Sequence, residues 1–131
     1  MSQDTIRQAL LTYLKSQSDV AALIGGRIYI LSAPQTVGDP YVVYSRISAT
    51  RSHVKAGPSG LTESRVQFSI WSKWFSDAWA VAEALRKVLD GFSGMMNGVN
   101  IRSIRSDGEV DFFESDTNLY QVASDFLITH E

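Results

Sequence analysis

Only two imidazoles, His53 and His130, occur in the 131 residues, and there is no cysteine. Tightly held transition-metal sites need three or four converging nitrogen or sulfur donors, so histidine-rich and mixed centres are excluded, together with thiol nucleophiles and disulfides. His53 falls at a hairpin edge and His130 is next to last. Neither lies beside a pocket-building motif, so both read as surface histidines rather than general bases. Serines are plentiful, but none sits in the G-x-S-x-G elbow that presents a hydrolase nucleophile. The densest run of hard oxygen donors is Asp107, Glu109, Asp111, Glu114 and Asp116. As a calcium loop it fails, because Gly108 stands second and no glutamate lies at the required distance. Glycosyl transfer needs two carboxylates at a set separation, and nothing in this run enforces one. It reads as a solvated hairpin.

The remaining candidate for chemistry is the glycine pair in AALIGGRIYILSAPQ, Ala21 to Gln35. A phosphate-cradling loop spaces its glycines as G-x-G-x-x-G or G-x-x-x-x-G-K-[ST] so that backbone amides converge on an anion. Gly25 and Gly26 fit neither pattern. Ser18 and Asp19 ahead of Val20, Ala21, Ala22, Leu23 and Ile24 predict a short capped helix, with glycine at its C-terminal stop.

No motif carries a reaction, so the elements are the next source of information. From Asp4, the residues Ile6, Ala9, Leu10, Tyr13 and Leu14 form one stripe of an amphipathic helix. After the short second helix, Arg27 to Leu31 predicts a brief strand and Ser32 to Asp39 a loop. PYVVYSRISATRSH, opening at Pro40, predicts a strand with both faces apolar at its start. KAGPSG, Lys55 to Gly60, is a turn, and beyond it Val66, Phe68 and Ile70 alternate with Arg65, Gln67 and Ser69. The pair forms a long hairpin with a projecting tip, Ser52 to Leu61. Ser76 and Asp77 are expected to cap a helix running to about Asp90, with Ala78, Val81, Ala82, Leu85, Val88 and Leu89 as its stripe and Gly91 as its stop. Asn97 to Val99 leads into a strand through Ile101 and Ile104. The acid-rich segment is expected to separate that strand from a last one, Leu119 to Thr129, in which Tyr120, Val122, Phe126 and Ile128 share a face. The order predicts a single α+β domain over residues 1–131, a mainly antiparallel sheet of about four to five strands with helices packed on one face.

Composition is that of an ordinary globular domain, 44% hydrophobic and 20% charged. The N-terminus lacks the pattern of a signal peptide, and no apolar run approaches the roughly 20 residues that span a bilayer, so no membrane partner is expected. A net charge of −2 gives no global attraction to nucleic acid. Its local distribution is uneven. From Arg46 to Arg65, the bases Arg46, Arg51, Lys55 and Arg65 face only Glu63, a net +3 with His53 neutral, whereas Asp107 to Asp116 carries five acids and no base. Opposite poles on different surfaces suit a heterologous contact between copies, which closes into a ring where the rotation permits. These ten residues, Arg46, Arg51, His53, Lys55, Arg65 and the five acids, are the candidate contact set. Reversing Arg51 and Lys55 to acids is expected to block assembly without unfolding the monomer. A second candidate surface is the cluster Trp71, Trp74, Phe75 and Trp79. Tryptophan at such a place serves a protein interface, or a small ligand- or nucleic-acid-binding module in which bases stack on aromatic side chains.

The succession ALIGGRIYILSAPQ, DPYVVYSRIS, GPSGLTESRVQFSIWS, DAWAVAEALRKVLDGF and LYQVASDFLI resembles the tail completion family of long-tailed bacteriophages and prophages. The resemblance runs from about Ala9 to Ile128. Its most specific parts are the glycine pair before R-I-Y, the A-P-Q loop and the P-Y-V-V strand. It departs from the pattern at Ile30, where relatives often carry proline. Such families are similar to tail terminators and tail-to-head joining proteins. The resemblance implies a non-enzymatic virion protein without cofactors, assembled in the bacterial host cytoplasm as a hexameric ring. Its implied partners are its own copies, the tail tube protein and head-tail connector proteins, with DNA passing through the ring but no sequence-specific nucleic-acid contact.

Overall fold

In a computed structural model, the chain is described over residues 3–34, 37–54 and 57–131. Among these residues, three helices and six strands follow in the order α1 (Gln3–Ser16), α2 (Ser18–Ile24), β1 (Ile28–Ile30), β2 (Tyr41–Val54), β3 (Gly57–Ser72), α3 (Phe75–Leu89), β4 (Gly94–Met96), β5 (Val99–Glu114) and β6 (Leu119–His130). The strands form one sheet in the order β1-β2-β3-β6-β5-β4. Among the described residues, only β1, against β2, pairs in parallel. The other ladders are antiparallel.

The expected α+β class holds, with six strands rather than four to five. The additional strand, β4, is three residues long and turns into β5 through Asn97 and Gly98, both at positive φ. Such a turn suits the twist of a tight hairpin, but three residues are too few to show a period. A second difference is the extent of β5. The acidic segment continues the strand to Glu114 instead of separating two strands, because its alternation of Val110, Phe112 and Glu114 against Glu109, Asp111 and Phe113 lets it pair with β6 along its length.

Alternate positions of the central strands build the core. Val42 and Tyr44 of β2, Val66, Phe68 and Ile70 of β3, Val122, Phe126 and Ile128 of β6, and Ile101 and Ile104 of β5 are all buried. Phe68 meets Phe126 edge-on, with centroids 5.9 Å apart, and Tyr44 on its other side at 5.7 Å. Helix α3 lays Ala78, Val81, Ala82, Leu85 and Leu89 on this face. Helix α1 adds Ile6, Ala9, Leu10 and Leu14, and Tyr13 Oη donates to the Val88 carbonyl at 3.1 Å. The glycine pair is a turn, as its spacing indicated. Gly25 caps α2 in the left-handed conformation at φ 55° and donates to the Ala21 carbonyl.

The start of α3 differs from expectation. Ser76 and Asp77 lie inside the helix, which begins at Phe75 behind Trp74 and has no side-chain cap. The amides ahead of it are satisfied from elsewhere. Asp39 accepts from the Lys73 amide at 2.8 Å and from Ser72 Oγ at 3.2 Å, and Ser72 Oγ in turn accepts from the Trp74 amide. The Lys73 amide, ahead of the Ser72 hydroxyl, holds the Asp39 carboxyl below its ordinary range despite partial desolvation.

Candidate functional site: two charged sheet edges

Four long strands, in the order β2-β3-β6-β5, form the body of the sheet, and β1 and β4 cover only part of its two sides. On the β2 side, β1 pairs with Val42 to Tyr44 alone. On the β5 side, β4 pairs with Val99 to Ile101. Beyond β4, Ile104 exchanges backbone hydrogen bonds with Gly91 and Phe92, and the Ser106 amide donates to Asp90 Oδ1 at 2.9 Å. Among the described residues, no further strand lies against Arg46–Val54 of β2 or Asp107–Glu114 of β5. The uncovered β2 edge carries Arg46, Arg51 and His53, and the uncovered β5 edge carries Asp107, Glu109, Asp111 and Glu114, with Asp116 in the turn that follows.

Nine of the ten candidate residues are therefore at or beside two open edges or between them, and Lys55 lies outside the described residues. Most of the hairpin tip expected to project, Ser52 to Leu61, also carries no description beyond its backbone pairing. Within the chain, the structure brings the basic candidate Arg65 and the acidic candidate Asp107 together. Arg65 on β3 reaches across β6 to pair with Asp107 and, at 3.1 Å, with Asp125 of β6. The contact to Asp107 raises the Arg65 pKa further, and Gln67 Nε2 donates to the other Asp125 oxygen at 2.9 Å. The two poles are thus bridged at one point, and Arg65 belongs to the fold of the open face rather than to a free basic tip.

His130 is not a surface histidine. It is 2% exposed, pairs in register with both Thr62 and Ile101, and its Nε2 lies 3.1 Å from the buried Ser64 Oγ. Its Nδ1 is 3.2 Å from the Glu131 carbonyl. A carbonyl only accepts, so Nδ1 carries the proton and Nε2 accepts from the serine hydroxyl. Burial lowers the His130 pKa, partly opposed by the Glu131 contact. A serine beside a histidine suggests a nucleophile, but here both are sealed between β3, β6 and β5 and the ring's other nitrogen is held by a carbonyl instead of a carboxylate. The pair fills hydrogen-bonding needs inside the sheet. Among the described residues, no group of three or more histidine or acidic side chains is arranged to hold a metal ion.

The tryptophan cluster is divided by the fold. Trp71 lies on the sheet face opposite α3, where it lines a shallow depression of about 410 Å³ with Leu31, Tyr41, Val43, Glu114 and Leu119. Trp79, 50% exposed, lines a different depression between α2 and α3 with Asp19, Leu23, Glu83 and Lys87. Trp74 is exposed ahead of α3. Three rings on separate surfaces do not make one stacking platform. Sequence alternation placed Trp71 off the core and the expected helix start put Trp79 on another element, but neither could show that the two rings end on different surfaces. Sequence reading also missed the exposed apolar side chains on the acidic edge, Val110, Phe112 and Phe113, each more than half exposed. Their signal was their alternation with acids, within a segment whose charge reads as a solvated hairpin.

Among the described residues, no helix is long and apolar enough to cross a membrane. Comparison with curated proteins finds no match. Among solved structures 29 chains match. One, from the virion of a native gene transfer agent (GTA) particle, superposes with a TM-score of 0.82 at 17% identity, covering 96% of this chain and 94% of that one. At that identity the likeness speaks for the fold. The family model described as tail completion protein gp17 matches residues 8–131, and the chain belongs to that family.

Proposed function

We propose that this protein caps the phage tail tube as a hexameric ring, stopping tube growth and offering the surface on which the head is joined. The observation that carries this reading is the family match across residues 8–131. The fold shared with a chain of a gene transfer agent virion supports a place in a virion particle. The two uncovered sheet edges of opposite charge support self-association, because a heterologous contact between unlike surfaces is what builds a ring. The role is structural, with no reaction and no cofactor, and its partners are further copies, the tail tube protein and the connector proteins of the head. Assembly takes place in the host cytoplasm and the finished protein resides in the virion tail.

The test is reconstitution. Purified tail tube protein is allowed to polymerise with and without this protein, and tube lengths and ends are measured by negative-stain electron microscopy. Capping gives shorter tubes that carry a ring at one end. Tubes of unchanged length with bare ends would refute it. The alternative of a nucleic-acid module predicts binding that weakens steeply with salt, and the separation of Trp71, Trp74 and Trp79 speaks against it.

A further inference from the structure

We infer that neighbouring copies join by continuing the sheet, the acidic open edge of β5 in one copy pairing with the basic open edge of β2 in the next. The inference rests on the ring reading above and specifies its contact.

Three observations lead to it. First, an edge strand offers a row of unpaired backbone donors and acceptors, and natural proteins usually blunt such a row. From Glu109 to Glu114, β5 runs in regular register with β6 beyond the bulge between Ser106 and Glu109. Its outer side is uncovered among the described residues, and Val110, Phe112 and Phe113 expose apolar surface on both of its faces. A strand laid against it would satisfy the backbone and bury those side chains.

Second, charge selects the partner. Two β5 edges meeting symmetrically would oppose acid to acid, and two β2 edges base to base, and like charges directly opposed across strands destabilise pairing. A β5 edge against a β2 edge opposes acids to bases. Register strengthens the match. Glu109 and Asp111 sit opposite Ser124 and Val122, and Arg46 and Arg51 sit opposite Val66 and Thr62. Ser124, Val122 and Val66 belong to the rows of the sheet that carry Phe68, Phe126 and Ile128, so Glu109, Asp111 and Arg46 fall on the side that bears the helices.

Third, direction fits. Because β2, β3, β6 and β5 are successively antiparallel, β5 runs opposite to β2. A second copy in the same orientation presents its β2 antiparallel to β5, the favoured ladder. The level of the open stretches adds a constraint. Arg46 stands level with Ser106 across the sheet, and Val42 with Asp111. Glu109 stands level with Tyr44, and to clear the β1-covered Val42 to Tyr44 of the next copy Glu109 must lie opposite Arg51, which offsets that copy by six register steps, about 20 Å at roughly 3.3 Å per residue. In a closed ring, such an offset corresponds to strands tilted against the ring axis, as in a barrel.

The test uses charge reversal with complementation. Variant one is Glu109→Lys with Asp111→Lys, and variant two is Arg46→Glu with Arg51→Glu. Each is checked for folding by circular dichroism and for assembly by sedimentation velocity, alone and on tail tubes. Each alone is expected to remain monomeric, and an equal mixture to recover rings in which the two alternate. Assembly of either variant alone at the wild-type concentration, or no recovery in the mixture of two folded variants, overturns the inference while leaving rings of the wild type intact. Wild-type protein that forms no ring alone or on tubes overturns both this inference and the reading it rests on. Should either reversal unfold the chain, the lack of native cysteine permits a second test. Glu109→Cys and Arg51→Cys chains mixed under oxidising conditions are expected to give the mixed disulfide dimer in preference to either homodimer. Homodimers in equal or greater yield refute the pairing.

Discussion

His130 shows how much a single residue depends on its strand. In sequence it is a polar residue next to the last position. In the sheet it is a neutral, buried imidazole that accepts from Ser64. Replacing Ser64 with alanine leaves that nitrogen unsatisfied, and a loss of about 1–3 kcal/mol is expected in urea unfolding. The lowered pKa of His130 gives a pH dependence with a definite sign. Between its folded value and the ordinary value near 6.5, the unfolded chain binds more protons than the folded one, so stability rises with pH. The contribution is complete above about pH 6.5 and declines as pH falls through the folded value. A His130→Gln variant should flatten the unfolding midpoint across that window; an unchanged slope would remove His130 as its source. Gly25 is the second position where one residue decides local structure. At φ 55° a side chain is strained, and its Cβ would lie 3.4 Å from Arg27 Nη1. Gly25→Ala is expected to cost about 1–2 kcal/mol.

At the scale of elements, the helices and long strands were legible because their apolar periods are long. The stripe from Ala78 to Leu89 and the alternation Val66, Phe68, Ile70 each repeat often enough to fix both the element and its buried face. Phe68 is the centre of the aromatic row from Tyr44 to Phe126, and Phe68→Ala is expected to cost about 3–5 kcal/mol in chemical denaturation. A cost below about 1 kcal/mol would mean that the row is not the packed centre of the sheet. What could not be read falls into two physical classes. Short elements such as Gly94–Met96 carry no period and exist only because β5 is there to pair with them. Long-range contacts have no local signature: Arg65 with Asp107, Asp39 ahead of α3 and Ser64 with His130 join residues 42, 34 and 66 apart. The acidic segment differs for a related reason: its charge reads as a solvated hairpin separating two strands, while its weaker alternation continues β5 to Glu114.

For the whole molecule, sequence and structure point in the same direction through different evidence. The order of motifs over nearly the full chain indicated a tail completion protein, and the family match over residues 8–131 establishes that membership. The geometry adds what the order of motifs could not contain: four long strands with an acidic border and a basic border, each left partly uncovered by a three-residue strand. Separation of opposite charges was legible from composition. That the two charged segments are edges of one sheet was not, because strand order is decided by pairings between residues far apart in sequence. Assembly through such edges should weaken as salt screens the approaching charges, and sedimentation at rising ionic strength is expected to shift rings toward monomers.

The most direct test of a tube-capping role is electron microscopy of particles from the parent phage with this gene deleted, scoring tail length and head attachment. Tubes of uncontrolled length without heads are the expected result. Tails of normal length left unattached would assign joining in place of termination, and normal infectious virions would contradict the account.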